Sequence, residues 1–173
     1  TGRAPWRKAV LMKLLITRPL PDAVMKAAAK RFDVTARAST LPLTQPELLA
    51  ALRDFDLVLP TLGDAFSADI FAAAAPRARL LANFGVGYNH IDLAAAKAAG
   101  LAVTNTPGAV TDATADIALT LMLTTARRAG EAERALRAGQ WQGWHPTQFL
   151  GSMLSGKRLG IIGMGRIGQA IAK

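Results

Sequence analysis

Five short apolar runs punctuate the first hundred residues: Leu14-Leu15-Ile16, Asp33-Val34-Thr35, Leu57-Val58-Leu59, Leu80-Leu81-Ala82 and Leu101-Ala102-Val103. Their starts are spaced by 19, 24, 23 and 21 residues. Most of these runs are continuous rather than alternating, as parallel strands covered on both faces require. A leucine-rich repeat has a similar period, but the intervals hold alanine-rich helical segments and no L-x-x-L-x-L pattern. Strand, helix, strand at this spacing builds right-handed crossover units in an α/β layer.

The intervening helices carry start and stop signals. Thr44-Gln45-Pro46-Glu47 forms a capping box with proline tolerated in the first turn. Ser67 and Asp92 stand at N-cap positions, and Gly100 stands where a left-handed C′ residue belongs. Helices are therefore expected over Pro21–Arg31, Thr44–Asp54, Ser67–Ala75 and Asp92–Ala99. After Val103 the rhythm breaks. The turn cluster Asn105-Thr106-Pro107-Gly108 opens a gap before the next strand-like run, Leu159 to Ile162. One long helix is expected from about Thr111 to Ala138, buried around Ile117–Leu123, bent at Gly130 and ended by Gly139. Gln140 to Ser155 is irregular and holds Trp141, Trp144, His145 and Phe149. These aromatics suit either a protein interface or a segment folded back on its own domain. The domain boundary falls near Asn105, giving residues 12–104 and 105–173. The basic segment 1–11 resembles a leader or tag-like extension.

Composition narrows the chemistry. The chain has 173 residues, 51% hydrophobic, which suffices for a sizeable core. It has no cysteine, so disulfides, thiol nucleophiles and thiolate metal sites are excluded. The longest aliphatic stretch, Ile117 to Ala126, is about half a bilayer span. A soluble, cytoplasmic chain without a membrane partner is expected. Of the net charge of +9, four units come from Arg3, Arg7, Lys8 and Lys13. The remaining arginines are scattered and interleave with no aromatic run, so no nucleic-acid partner is expected.

The segment Gly163-Met164-Gly165-Arg166-Ile167-Gly168 is G-x-G-x-x-G. Its context gives it weight: Leu159-Gly160-Ile161-Ile162 leads in as a strand and Gln169-Ala170-Ile171-Ala172 continues as helix. The first glycine permits the tight turn and the second lets backbone approach a diphosphate. The third lets helix pack on strand, so that the helix N-terminus presents free N–H groups to phosphates. Upstream, Gly151 to Arg158 matches the phosphate-loop pattern except at its last position. Arg158 lacks the hydroxyl that magnesium requires, and the segment precedes a strand instead of following one.

A second candidate is Phe84-Gly85-Val86-Gly87-Tyr88-Asn89-His90-Ile91-Asp92, directly after the fourth strand. Two glycines around Val86 free backbone N–H groups at the carboxyl end of a sheet strand, a nest suited to a carboxylate. A loop shaped only for chain reversal has the same composition. No G-x-S-x-G occurs, and Ser152 and Ser155 lack that flanking pattern. His90 and His145 have no paired ligand spacing, so no metal is expected; His90 suits a structural hydrogen bond better than a base. Asp112 and Asp116 suit the N-terminal end of a helix dipole.

Taken in order, the Phe84–Asp92 loop, Asn105-Thr106-Pro107-Gly108, Thr111-Asp112-Ala113-Thr114-Ala115-Asp116 and Gly163–Gly168 resemble the D-isomer-specific 2-hydroxyacid dehydrogenases. Within them the likeness is greatest to the glyoxylate/hydroxypyruvate reductase branch, and it extends from Met12 to Lys173. The resemblance implies a flavodoxin-like parallel-sheet substrate domain followed by the start of a Rossmann coenzyme domain, with the active site in the cleft between them. It implies NAD or NADP as cofactor and a small 2-oxo or 2-hydroxy acid as substrate, held by backbone N–H groups of Val86 and Gly87. Thr114 is implied to line the nicotinamide side, and Gly163, Met164, Gly165, Arg166, Ile167 and Gly168 to hold the diphosphate. The arm from Thr111 to Leu154 is implied to form a homodimer contact. The family's catalytic arginine, glutamate and histidine lie in the second half of the coenzyme domain, so no catalytic residue is assigned within this chain, and these 173 residues are expected not to turn over. Two other classes share the architecture: a nucleotide-regulated, corepressor-like binding protein, and a stand-alone flavodoxin-like module with an oligomerising arm.

Overall fold

The computed structural model describes residues 11–173. All but the last residue of the expected extension 1–11 lies outside the described residues. The chain divides into two compact units, one ending at Pro107 and the other Gly108–Lys173.

In the first unit the five apolar runs are strands: β1 (Lys13–Ile16), β2 (Asp33–Ala36), β3 (Leu57–Leu59), β4 (Leu80–Ala82) and β5 (Ala102–Thr104). They form one sheet in the order β2-β1-β3-β4-β5, and every pairing is parallel. The helices α1 (Asp22–Ala29), α2 (Gln45–Asp54), α3 (Ala68–Ala73) and α4 (Leu93–Ala98) connect successive strands. This doubly wound order reverses direction between β1 and β3. Ligands of such folds bind outside the carboxyl ends of the strands.

Both faces of the sheet are covered, which explains the continuous apolar runs. Leu15, Val58 and Leu81 point into the larger core with Leu48, Leu52, Phe66, Ile70 and Phe71. Their neighbours Leu14, Ile16 and Leu57 face the other way, onto Met25, Ala28 and Phe32. A side-chain period of two thus places consecutive apolar residues in two separate cores.

Local signals act largely as expected. Glu47 accepts hydrogen bonds from the Thr44 N–H and hydroxyl, both at 2.8 Å, and its carboxyl is held below the usual range first by that backbone N–H. Asp92 accepts from the Ala95 N–H at 2.9 Å, and Gly100 adopts φ +78. Ser67 differs: it occupies the N-cap position with no side-chain capping bond.

The second unit departs further from expectation. The long helix is two, α5 (Thr111–Ala126) and α6 (Ala129–Arg137). The break lies at Arg128, with φ 54, and Gly130 sits inside α6. Left-handed backbone is costly for a non-glycine residue. Here Arg128 donates to Glu131 at 2.8 Å and its guanidinium lies 6.0 Å from the centre of the Phe149 ring, contacts that offset the cost. Ile117, Leu119, Leu121 and Leu123 are 39–59% exposed, where burial was expected. Residues 159–162 are not a strand. Pairing is what makes a strand, and no other segment of Gly108–Lys173 is extended alongside them. Within this unit α5 packs against α7 and buries Ala115, while Ile117, Leu121 and Leu123 stay exposed.

Candidate functional site

The loop after β4 is built by turning its carbonyls inward. Asn83 is buried immediately beyond β4, and its Nδ2 donates to the Gly85 carbonyl at 3.2 Å and the Gly87 carbonyl at 2.9 Å. The Thr106 N–H also donates to the Gly85 carbonyl, and Asn105 Nδ2 donates to the Val86 carbonyl at 2.9 Å. In a trans peptide the C=O and the following N–H point in opposite directions. Drawing in the carbonyls of Gly85 and Val86 therefore turns the N–H groups of Val86 and Gly87 outward. Among the described residues neither N–H donates to another group of the chain. A Cβ on Gly85 would make ordinary contacts, 3.5 Å from both Asn83 Nδ2 and the Gly87 carbonyl oxygen, so hydrogen bonding and not crowding shapes the loop there.

Beside the loop, His90 Nε2 lies 3.0 Å from Asn83 Oδ1. Burial lowers the His90 pKa from its ordinary 6.5, opposed by the charge of Asp64. Asp64 is fully buried and accepts from the Thr17 hydroxyl at 2.6 Å, the Leu43 N–H at 2.9 Å and the Thr61 N–H at 2.9 Å. Arg18 completes this knot, donating to Thr61 Oγ1, the Leu62 carbonyl and Asp64. The carboxyl ends of β1 and β3 are thereby tied to the turn that follows β3.

In the second unit Gly163, Met164 and Gly165 form the turn that enters α7 (Arg166–Ile171), and Arg166, Ile167 and Gly168 are its first residues. Gly163 has φ +95, a conformation that favours glycine. A Cβ on Gly168 would collide with the Gly163 carbonyl oxygen, whereas one on Gly165 would meet nothing within 4 Å. The third glycine is thus needed for the turn itself, and the second leaves open space beside the backbone. These residues fit a diphosphate in that respect: open backbone approach at the start of a helix.

Residues 14–164 match the profile of the D-isomer specific 2-hydroxyacid dehydrogenase catalytic domain. The chain belongs to the D-isomer specific 2-hydroxyacid dehydrogenase family. It is 42% identical over 165 residues to a glyoxylate reductase of Thermococcus onnurineus, covering 93% of this chain and 49% of that protein. It is 41% identical over 161 residues to a glycerate dehydrogenase of Hyphomicrobium methylovorum, covering 93% and 50%. Among solved structures, a putative NAD-binding member from Polaromonas superposes with TM-score 0.87 at 39% identity, over 94% of this chain and 51% of that one. An NADPH-dependent glyoxylate/hydroxypyruvate reductase of Sinorhizobium meliloti, solved with NADP and malonate, gives TM-score 0.72 at 31% identity, over 93% and 49%. The chain spans about half the length of the curated relatives it matches.

Thr114, the remaining family-implied site residue, lies on α5 and donates its hydroxyl to the Val110 carbonyl at 2.7 Å. Of the arm aromatics, Phe149 folds back on Arg128, and Gly151 packs against the Ala126 carbonyl at the end of α5. Trp144 is 80% exposed. The folded-back reading therefore holds for Phe149. Sequence reasoning missed Asn83, Arg18 and Asp64. The available signal was positional: each is polar and lies within five residues beyond the carboxyl end of a buried strand, where a charged or amide side chain needs a partner.

Proposed function

We propose that this chain forms the carboxylate-binding and the first diphosphate-binding portion of a nicotinamide-dependent reductase of small 2-oxo acids such as glyoxylate or hydroxypyruvate. The carrying observation is the outward pair of N–H groups at Val86 and Gly87, fixed by carbonyls turned inward. Two preorganised donors suit a carboxylate, since no reorganisation is needed when the charge arrives. The relatives' names and the complex of one of them with NADP and malonate support the same reading.

In this reading Gly163 to Gly168 hold the diphosphate of NAD or NADP through backbone N–H groups, and Thr114 lines the nicotinamide side. When bound, the reduced coenzyme supplies hydride to the substrate carbonyl. Val86 and Gly87 anchor the substrate by its carboxylate and so orient that carbonyl. Polarisation of the carbonyl oxygen and its protonation are assigned to groups in the remainder of the coenzyme domain. The Thr111–Leu154 arm serves a homodimer contact, supported by the exposed α5 leucines and Trp144.

The test compares two glycines in the protein carrying a complete coenzyme domain. Gly165→Val is expected to fold normally, with NADH or NADPH affinity reduced at least about tenfold by fluorescence titration, because the side chain fills the open space. Gly168→Ala is expected to lower the melting temperature, because its Cβ meets backbone. Unchanged coenzyme affinity in Gly165→Val would overturn the diphosphate assignment. The 173-residue chain alone is expected to bind NADH weakly; submicromolar affinity would contradict that reading.

A further inference from the structure

Two of the carbonyls of the carboxylate loop are held by one buried amide side chain, with Asn105 and the Thr106 N–H holding the loop from the other side. Asn83 is buried and uses both Nδ2 hydrogens on carbonyls of the loop, Gly85 and Gly87. A carbonyl oxygen only accepts, so Nδ2 must face them and Oδ1 must face away. Oδ1 meets His90 Nε2 at 3.0 Å. Since an amide oxygen also only accepts, the imidazole must carry its proton on Nε2. The reversed amide would set an oxygen against two carbonyls and leave buried acceptors unpaired. The Nε2–H of His90 thus complements the amide orientation that the carbonyls require, and that amide holds the Gly85–Val86 and Gly87–Tyr88 peptide groups.

We propose that Asn83 and His90 are positioning residues for carboxylate recognition, acting through the loop and not by touching the ligand. The Nε2–H of His90 holds the Asn83 amide in one orientation. That amide draws the Gly85 carbonyl inward, which turns the Val86 N–H outward, and it holds Gly87 by its carbonyl while Asn105, on the Val86 carbonyl, turns the Gly87 N–H outward. Neither side chain needs to reach the substrate; their effect is to fix the Val86 donor, and Gly87 from its carbonyl side, before it arrives. This inference rests on the carboxylate reading of the loop given above.

The experiment uses the 15N-labelled chain and oxamate, an unreactive mimic of a 2-oxo acid. Saturable shifts of the Val86 and Gly87 amide signals are expected in the unsubstituted protein. His90→Leu, which removes the donor, is expected to weaken oxamate binding about tenfold, the loss of one oriented hydrogen bond. His90→Gln supplies an amide donor of similar reach and is expected to recover most of that affinity. Absence of any shift at Val86 and Gly87 in the unsubstituted chain would overturn the carboxylate reading and this inference together. Normal binding there, with equal affinity in His90→Leu, would overturn only the positioning role. Failure of His90→Gln to recover the loss would do the same. Should His90→Leu unfold, the ring tautomer decides, read from long-range 1H–15N couplings of His90 in the unsubstituted protein. The Nε2–H form is expected, and the Nδ1–H form would overturn the proposal.

Discussion

At the scale of single residues, the most consequential group is one without a chemical role. Asp64 is fully buried and binds the Thr17 hydroxyl, two backbone N–H groups and Arg18. Asp64→Ala would leave those donors unpaired in the interior and is expected to cost about 3 kcal/mol or more in chemical denaturation. His90 gives a pH signature of modest size. Its pKa is lowered in the folded state from an ordinary 6.5, chiefly by burial. The unfolded chain therefore binds the proton more readily. The stability associated with the neutral imidazole is complete above 6.5 and falls as pH drops through the depressed folded value. A His90→Gln variant is expected to flatten that part of a stability-versus-pH curve, with urea midpoints as the readout. The loop's glycines and His90 could be singled out in the sequence, as could the structural character of His90. Asn83 could not, because its role depends on carbonyls two and four residues ahead that only a folded loop turns back toward it.

At the scale of elements, strands and helices of the first unit follow from local pattern. The runs at 14, 57 and 80 are strands because β-rich apolar segments between capped helices agree with the sheet that receives them. The second unit shows where local pattern loses its force. Residues 159–162 carry the same apolar character as β1 or β4, yet remain unpaired. The α5–α6 break falls at Arg128 instead of Gly130, because Glu131 and Phe149 hold Arg128 in a left-handed conformation. No composition signal marks that position. The exposed α5 faces carry a further expectation. If they form the proposed contact between copies, Leu121→Arg introduces a charge into it and shifts the dimer dissociation constant at least about tenfold by sedimentation equilibrium. An unchanged mass distribution would place the contact elsewhere.

At the scale of the whole molecule, both apolar clusters lie in the first unit, while Ala115 and Gly168 are the buried residues of Gly108–Lys173. A polypeptide of residues 12–107 is expected to unfold in a single cooperative thermal transition, with coincident circular-dichroism and fluorescence curves. A broad, non-cooperative melt would mean that the first unit needs the second. Among the described residues no helix is long and apolar enough to cross a membrane. The sequence by itself determined the α/β class, the strands of the first unit, the glycine turn and the family. Each of these is written in short-range order: apolar runs, caps, and glycines where backbone must bend or approach closely. Tertiary structure alone decided which carbonyls the Asn83 amide captures, how Arg18 and Asp64 join three segments, and that Leu159 to Ile162 stays unpaired. Those outcomes depend on partners distant in the chain, and a buried polar group or an extended backbone takes its meaning only from the partner it meets.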